Sequence, residues 1–301
     1  MKWTLHDTAH PVTADVVKSV LIPHARDLGD FAVRRALPGS NPRAVGPFVF
    51  FDQMGPVSFA AGKGIDVRPH PHIGLSTITW LFEGEIQHKD SLGYDVTIRP
   101  GEVNWMTAGS GIVHSERSPP WARSGGAALA GIQAWVALPK SQEECAPSFQ
   151  HYTSDLFPRM SDKGLGIALI TGAAFGQRSP VVTASETLYA ELRLARGTRF
   201  FVPALAEEQA LYVADGEIML EGKNYGVGTM LVLKPDASCL ITANQDACCM
   251  LLGGDALDAP RHIYWNFVSS SLERLERAKD DWRNMRFALV EGDPEFIPLP
   301  S

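Results

Sequence analysis

The chain has 301 residues, 45% of them apolar and 20% charged, with a formal net charge of −7. That length allows two domains or one large one, and the composition is that of a globular chain that buries a core without staples. The acidic balance argues against direct nucleic-acid binding, which calls for a basic footprint. No 18-residue apolar run is present, so no membrane span is expected.

The opening stretch, MKWTLHDTAHPVTADVVKSV, lacks the apolar core of a secretory signal, and a cytoplasmic location is the expectation. Glycine (27) and proline (21) are spread along the chain and cut it into short segments. FVFFDQM, STITWLFEGEIQHKD, YDVTIRPGEVNWMTAG and GIQAWVAL read as strands, rich in β-branched and aromatic residues between Gly/Pro turns. Regular short strands of this kind point to an all-β sandwich or barrel. Residues 139–164 are polar and turn-rich and read as a connector.

A second run of strands follows: LGIALITG, TLYAELRLARGTRFFVP, ALYVADGEIMLEGKNYGVGTMLVL, SCLITA and CCMLLGG. WLFEGEIQH is echoed by LYVADGEIML, and IRPGEVNWM by YGVGTMLVL. We read an internal duplication, two barrels of similar plan, with domains at 1–150 and 151–301. Near the end, SSSLERLERAKDDWRNM predicts a short helix. Leu272, Leu275, Ala278, Trp282 and Met285 form one apolar stripe, and the serines before it are possible N-caps. Such a helix packs on the outside of a barrel.

The four cysteines, Cys145, Cys239, Cys248 and Cys249, lack CxxC spacing. Neighbours in a strand point to opposite faces, so Cys248 and Cys249 do not bind one ion together, and free thiols in a reducing compartment are expected.

The chemistry lies in two short motifs. RPHPHIGLST carries His70 and His72, and GIVHSE carries His114 and Glu116. Residues i and i+2 of a strand share a face, so each pair points one way. Pro71 between the histidines predicts an edge strand or a strand start. If the two strands are neighbours, three imidazoles and one carboxylate converge, a mixed N/O set that suits a first-row divalent metal with open positions. A lone HxH is more often incidental, and spacing by itself leaves both readings open.

Beyond spacing, HPHIGLSTITWLFEGEIQHKDSLG, IRPGEVNWMTAGSGIVHSE and GIQAWVALP resemble the signature of the pirin family, within the cupin superfamily, as does VGPFVFFDQMGP. The resemblance is dense over residues 35–139 and looser beyond. It implies two cupin barrels in tandem, of the double-stranded β-helix or jelly-roll-like kind. It implies one metal in the first barrel, with ligands falling on His70, His72, His114 and Glu116. Fe(II) is the implied ion, with Zn, Mn, Ni, Co or Cu as alternatives. The second barrel is expected to lack ligands, and no histidine occurs over residues 165–258. One departure is Ser76, where many cupins carry glutamate.

Two functions follow from the resemblance. One is a quercetin (flavonol) 2,3-dioxygenase that coordinates its substrate on iron, cleaves it with dioxygen and releases CO, with Glu116 as both ligand and catalytic base. The alternative is a metal-dependent, redox-sensing co-regulator that binds protein partners without catalysis. A monomer is the expectation. The remaining candidates are plainer. His88 reads as structural or solvated, and Glu102 as a solvated turn residue. Trp80, Trp105, Met106 and Trp135 read as barrel core. His6, His10, His24, His151 and His262 have no informative spacing.

Overall fold

The structure is a computed structural model that describes residues 15–27 and 32–300; His6 and His10 lie outside the described residues, as does the start of the chain on which the signal-peptide reading rested. Strands dominate it. The six-residue helix Pro120–Gly125 and the twelve-residue helix Leu272–Arg283 are the α-helices among the described residues.

The described residues divide into two compact units. One gathers Ala25–Val33, Phe51–Ser154 and Leu257–Ser301; the other gathers the residues up to His24, Arg34–Phe50 and Asp155–Ala256. The units are therefore not consecutive stretches, because the final segment and its helix group with Phe51–Ser154.

The unit that holds the histidine motifs has a four-stranded sheet in the order Asp66–His72, Ile112–Arg117, Ile86–Asp90, Asp95–Ile98. A larger sheet of seven strands includes, side by side, Ser148–Tyr152, Val103–Thr107, Leu75–Glu83, Ala128–Ala137 and Phe48–Ser58. Apolar residues of both sheets meet between them, including Leu81, Ile86, Ile98 and Leu129 in one cluster and Met106, Ile112 and Phe149 in another. Asp66–His72 is an edge of its sheet, as Pro69 and Pro71 require.

The other unit repeats the plan. Its small sheet runs Arg199–Val202, Cys239–Ala243, Glu217–Leu220, Lys223–Gly226. Its large sheet runs Val17–Leu21, Met230–Leu233, Glu208–Asp215, Ala247–Gly254, Thr187–Leu194, Leu165–Thr171, Arg159–Asp162. The duplicated hairpins carry the same steric device. Gly84 (φ 85°) and Gly216 (φ 75°) both adopt the left-handed region. A Cβ at either would sit 2.0 Å from the Ala128 carbonyl oxygen or 2.1 Å from that of Asp246. A large apolar cluster fills this unit, among its members Leu188, Leu192, Phe200, Val202, Leu211, Leu231 and Leu251.

Two local expectations need correction. The polar connector contains the strand Ser148–Tyr152, paired with Val103–Thr107. It buries Phe149 while Ser148 and Gln150 stay exposed, so a short one-sided edge strand reads as a loop. The helix begins at Leu272, capped by Ser271, whose side chain accepts from the Arg274 N–H. Leu275, Ala278 and Trp282 are buried against Ile73, Val113 and Phe267. The stripe is shorter than its spacing implied. Leu272, in the first turn, is 61% exposed, and Met285, past the helix end at φ 53°, is 60% exposed.

Candidate metal centre

The strands Asp66–His72 and Ile112–Arg117 are antiparallel neighbours, with His114 opposite His70 and Ile112 opposite His72. A register shift between His114 and Glu116 then sets Glu116 opposite Val67. Alternation decides which side chains face inward. Ile73 and Val113, each adjacent in sequence to a motif histidine, pack against Phe267, Leu275 and Trp282, and this apolar footing turns His72 and His114 to the interior. At the far end of the pair, Arg117 and Asp66 are joined by an ion pair of 2.9 Å.

His70, His72 and His114 are all buried, and one ring nitrogen from each falls within 4.8 Å of the others. Their other nitrogens are occupied. His70 Nδ1 lies 2.8 Å from the Arg68 carbonyl oxygen, and His72 Nδ1 lies 3.2 Å from that of Asn266. A carbonyl only accepts, so both Nδ1 atoms carry the proton and both Nε2 atoms are left as bare donors. His72 Nε2 and His114 Nε2 stand 3.1 Å apart. The edge of the Trp135 ring closes on His72, with centroids 5.2 Å apart.

Burial pushes all three imidazoles toward the neutral form, His70 to about 4 and His72 and His114 well below the ordinary histidine value. Neighbouring histidines reinforce the effect on His72 and His114. Three neutral imidazole nitrogens lie within 4.8 Å of one another, each able to offer a lone pair to a cation. This donor set fits a divalent first-row ion.

Glu116 does not join the group of His70 and His72. It belongs to a second, overlapping group with His88 and His114, again within 4.8 Å. It is partly exposed, and burial pushes its carboxyl above the ordinary glutamate value. His114 is the shared member of both groups.

Of the two readings the sequence left for His88, structural or solvated, the buried position agrees with the structural one. His88 is 2% exposed, stacked on Phe149 at 4.4 Å, with its Nδ1 3.3 Å from His114 Nδ1 and its Nε2 3.1 Å from Asp90 Oδ2. His88 and Asp90 stand at i and i+2 of a strand whose burial alternates, so both side chains face inward. Ser76 is buried, and its hydroxyl meets that of Thr107 at 2.9 Å, so the place of the usual cupin glutamate holds a satisfied small polar pair. Trp80, Trp105, Met106 and Trp135 are buried, as the barrel-core reading expects. Glu102 caps its own turn by accepting from the Arg99 N–H at 2.8 Å.

Comparison with known proteins places these features in a family. The model described as Pirin matches residues 30–136, and the one described as Pirin C-terminal cupin domain matches residues 189–288. A pirin-like protein of Caulobacter vibrioides is 48% identical, over 92% of this chain and 96% of its own length. A protein of Pseudomonas aeruginosa named as a candidate quercetin 2,3-dioxygenase is 36% identical, over 91% of this chain and 83% of its own. The crystal structure of a quercetin 2,3-dioxygenase from Acinetobacter baumannii superposes with a TM-score of 0.87 at 33% identity, covering 94% of this chain and 95% of that one.

Proposed function

Since the chain belongs to the pirin family of two-barrel cupins, we propose that it is a metal-dependent quercetin 2,3-dioxygenase acting on flavonols. The observation that carries the reading is the convergence of three neutral, buried imidazole nitrogens from His70, His72 and His114. The relatives named for this activity extend it to a substrate class.

In this proposal His70, His72 and His114 hold one divalent ion, Fe(II), and Glu116 completes the set from the adjacent group. When bound, that ion supplies Lewis acidity toward the adjacent hydroxyl and carbonyl oxygens of a flavonol, and redox chemistry toward dioxygen. Glu116 takes the flavonol hydroxyl proton on its carboxylate, and burial, which raises its affinity for that proton, suits it to the task. Trp135, set against His72, and the other buried rings keep bulk water from the reacting face. Both atoms of dioxygen enter the product, the central ring opens and CO leaves.

No helix among the described residues is long and apolar enough to cross a membrane. We place the protein in the cytoplasm, where its four free cysteines stay reduced.

The test is anaerobic mixing of the Fe(II)-loaded protein with quercetin, followed by admission of oxygen. Loss of the flavonol absorption band together with release of CO is expected, and neither in the His72→Ala variant. A stable flavonol band and no CO from the loaded wild-type protein overturn the proposal.

A further inference from the structure

We infer that His88 and Asp90 are positioning residues that fix the proton of His114 on Nδ1 and so reserve its Nε2 for the metal; the inference rests on the metal-site reading above. Its geometry is a chain of three buried groups. His114 Nδ1 lies 3.3 Å from His88 Nδ1, and His88 Nε2 lies 3.1 Å from Asp90 Oδ2. All three residues are at most 2% exposed. Their strands are paired, with His114 opposite Asp90 and Glu116 opposite His88, so the ladder itself sets the separations.

The proton assignment follows link by link. A metal on His114 Nε2 leaves that ring's proton on Nδ1. His88 Nδ1, which faces it, must then accept, and the remaining proton of a neutral His88 sits on Nε2. That N–H points at Asp90 Oδ2, an acceptor. Asp90 cannot turn away, because its other oxygen, Oδ1, accepts from the Leu92 N–H at 2.9 Å and the Tyr94 N–H at 3.1 Å. The stack of His88 on Phe149, at an interplanar angle of 14°, holds the middle ring in the plane that the relay needs. His70 and His72 obtain the same service from single backbone carbonyls. His114 alone depends on side chains, and outer partners of this sort are worth about 10- to 100-fold in metal affinity.

The assignment separates a relay from a merely structural turn. In Asp90→Asn, the Leu92 and Tyr94 N–H groups still demand an oxygen, so the amide NH2 is presented to His88. His88 Nε2 then accepts, its proton moves to Nδ1, and that N–H opposes the His114 N–H. His114 must either shift its proton to Nε2, which takes that nitrogen from the ion, or lose its partner. In Asp90→Ala the turn loses both backbone contacts, but His88 can keep its proton on Nε2 and still accept from His114. The relay therefore predicts that Asp90→Asn damages metal binding more than Asp90→Ala, while thermal stability follows the opposite order. A purely structural role for Asp90 makes Asp90→Ala the worse variant in both.

The experiment is chelator-competition titration of the metal-free full chain with Co(II), reading affinity and the visible d–d spectrum. Wild type, Asp90→Asn, Asp90→Ala and His72→Ala are compared, and melting is followed in parallel. Asp90→Asn is expected to bind Co(II) about 10- to 100-fold more weakly than wild type, with an altered spectrum, and more weakly than Asp90→Ala. Wild-type affinity in Asp90→Asn, or tighter binding by Asp90→Asn than by Asp90→Ala, overturns the relay while leaving the metal site standing. No Co(II) uptake by wild type overturns both. Should Asp90→Asn not fold, 15N NMR of the Zn(II)-loaded wild type reads the His88 tautomer directly: a proton on Nε2 supports the relay, and one on Nδ1 ends it.

Discussion

In the histidine barrel, the two inner ladders set His114 opposite His70 and Glu116 opposite His88. In the other barrel, the equivalent ladders set Cys239 opposite Val202 and Ile241 opposite Leu220. His88 and Leu220 each lie four residues past the matched hairpin glycine, Gly84 or Gly216. One backbone plan thus presents the same interior positions twice, once as imidazole and carboxylate and once as thiol and hydrocarbon. The lesson is that the strand ladders hold the plan without regard to interior polarity. Each interior is instead stabilised in its own way, by apolar packing in one barrel and by satisfied polar partners in the other.

Both interiors disfavour charge. Burial pushes His70 down to about 4 in one barrel and Cys239 and Cys249 up to about 12 in the other. The difference is that the histidine barrel supplies Nδ1 partners for its imidazoles, whereas Ile241 packs in an apolar cluster with Leu220, Leu231 and Phe200.

Exchanging one pair of matched residues tests this most severely. Ile241→Glu puts a carboxyl among hydrocarbons, and the protein is expected to lose about 4 kcal/mol of stability at neutral pH, near the upper range for a fully desolvated acid. Urea denaturation measures it, and an unchanged midpoint breaks the comparison. The reciprocal change, Glu116→Ile, leaves the metal-free protein as stable as wild type or more so, because it removes a carboxyl whose ionisation burial already opposes. Its cost falls on metal retention instead.

Second in size is His72→Ala. Removing a ligand exceeds the loss of an outer partner, so affinity for a divalent ion is expected to fall by more than about 100-fold. The fold should persist, since the apolar clusters at Leu81 and at Trp282 do not include His72. Elemental analysis of the purified variant checks it; wild-type metal content removes His72 from the site. Val202→Ala, the matched position of the His70 register in the other barrel, should leave metal content unchanged and cost only packing.

How much of this was visible in the sequence depends on the distance over which each feature is encoded. HPH and HSE declare themselves because strand periodicity is local, and the hairpin echo is visible because Gly84 and Gly216 are each forced by a close backbone approach. His88 was not legible as part of the site. Its partner His114 is 26 residues away, and HKD gives no hint of which strand lies beside it. The Asn266 carbonyl that orients His72 is 194 residues distant and is contributed by backbone, which no side-chain pattern records. Ser148–Tyr152 was hidden for another reason, since an edge strand that buries Phe149 leaves almost no alternation to read.

A third effect, spread over several pH units, is the response to acid. Unfolded, the three imidazoles take up protons near the ordinary value of 6.5; folded, His70 resists until about 4, and burial holds His72 and His114 well below the ordinary value. The unfolded state therefore binds more protons over this window. Stability of the metal-free protein is intact above about pH 6.5 and declines as pH falls toward 4, by up to about 1.4 kcal/mol per pH unit for each imidazole. Denaturation midpoints between pH 7 and 4 should show this slope, and it should flatten in His70→Ala. A slope that is unaffected by substitution at His70 traces the acid response to other groups.

The smallest expected effect concerns the thiols and sharpens the contrast from the apolar side. Cys239, Cys248 and Cys249 are buried and their thiols pushed upward, principally by desolvation, with Glu191 adding to the effect on Cys248. A thiol attacks only as thiolate, so all three should be inert in the folded state. Cys145 is partly exposed, and its thiol is raised as well. An aromatic disulfide reagent at pH 8 is thus expected to react with no more than Cys145, slowly, in native protein, and with all four cysteines in denaturant. Fast reaction of a second native thiol would mean that the apolar barrel opens on the timescale of labelling, and its hydrocarbon interior could then no longer be called tightly packed.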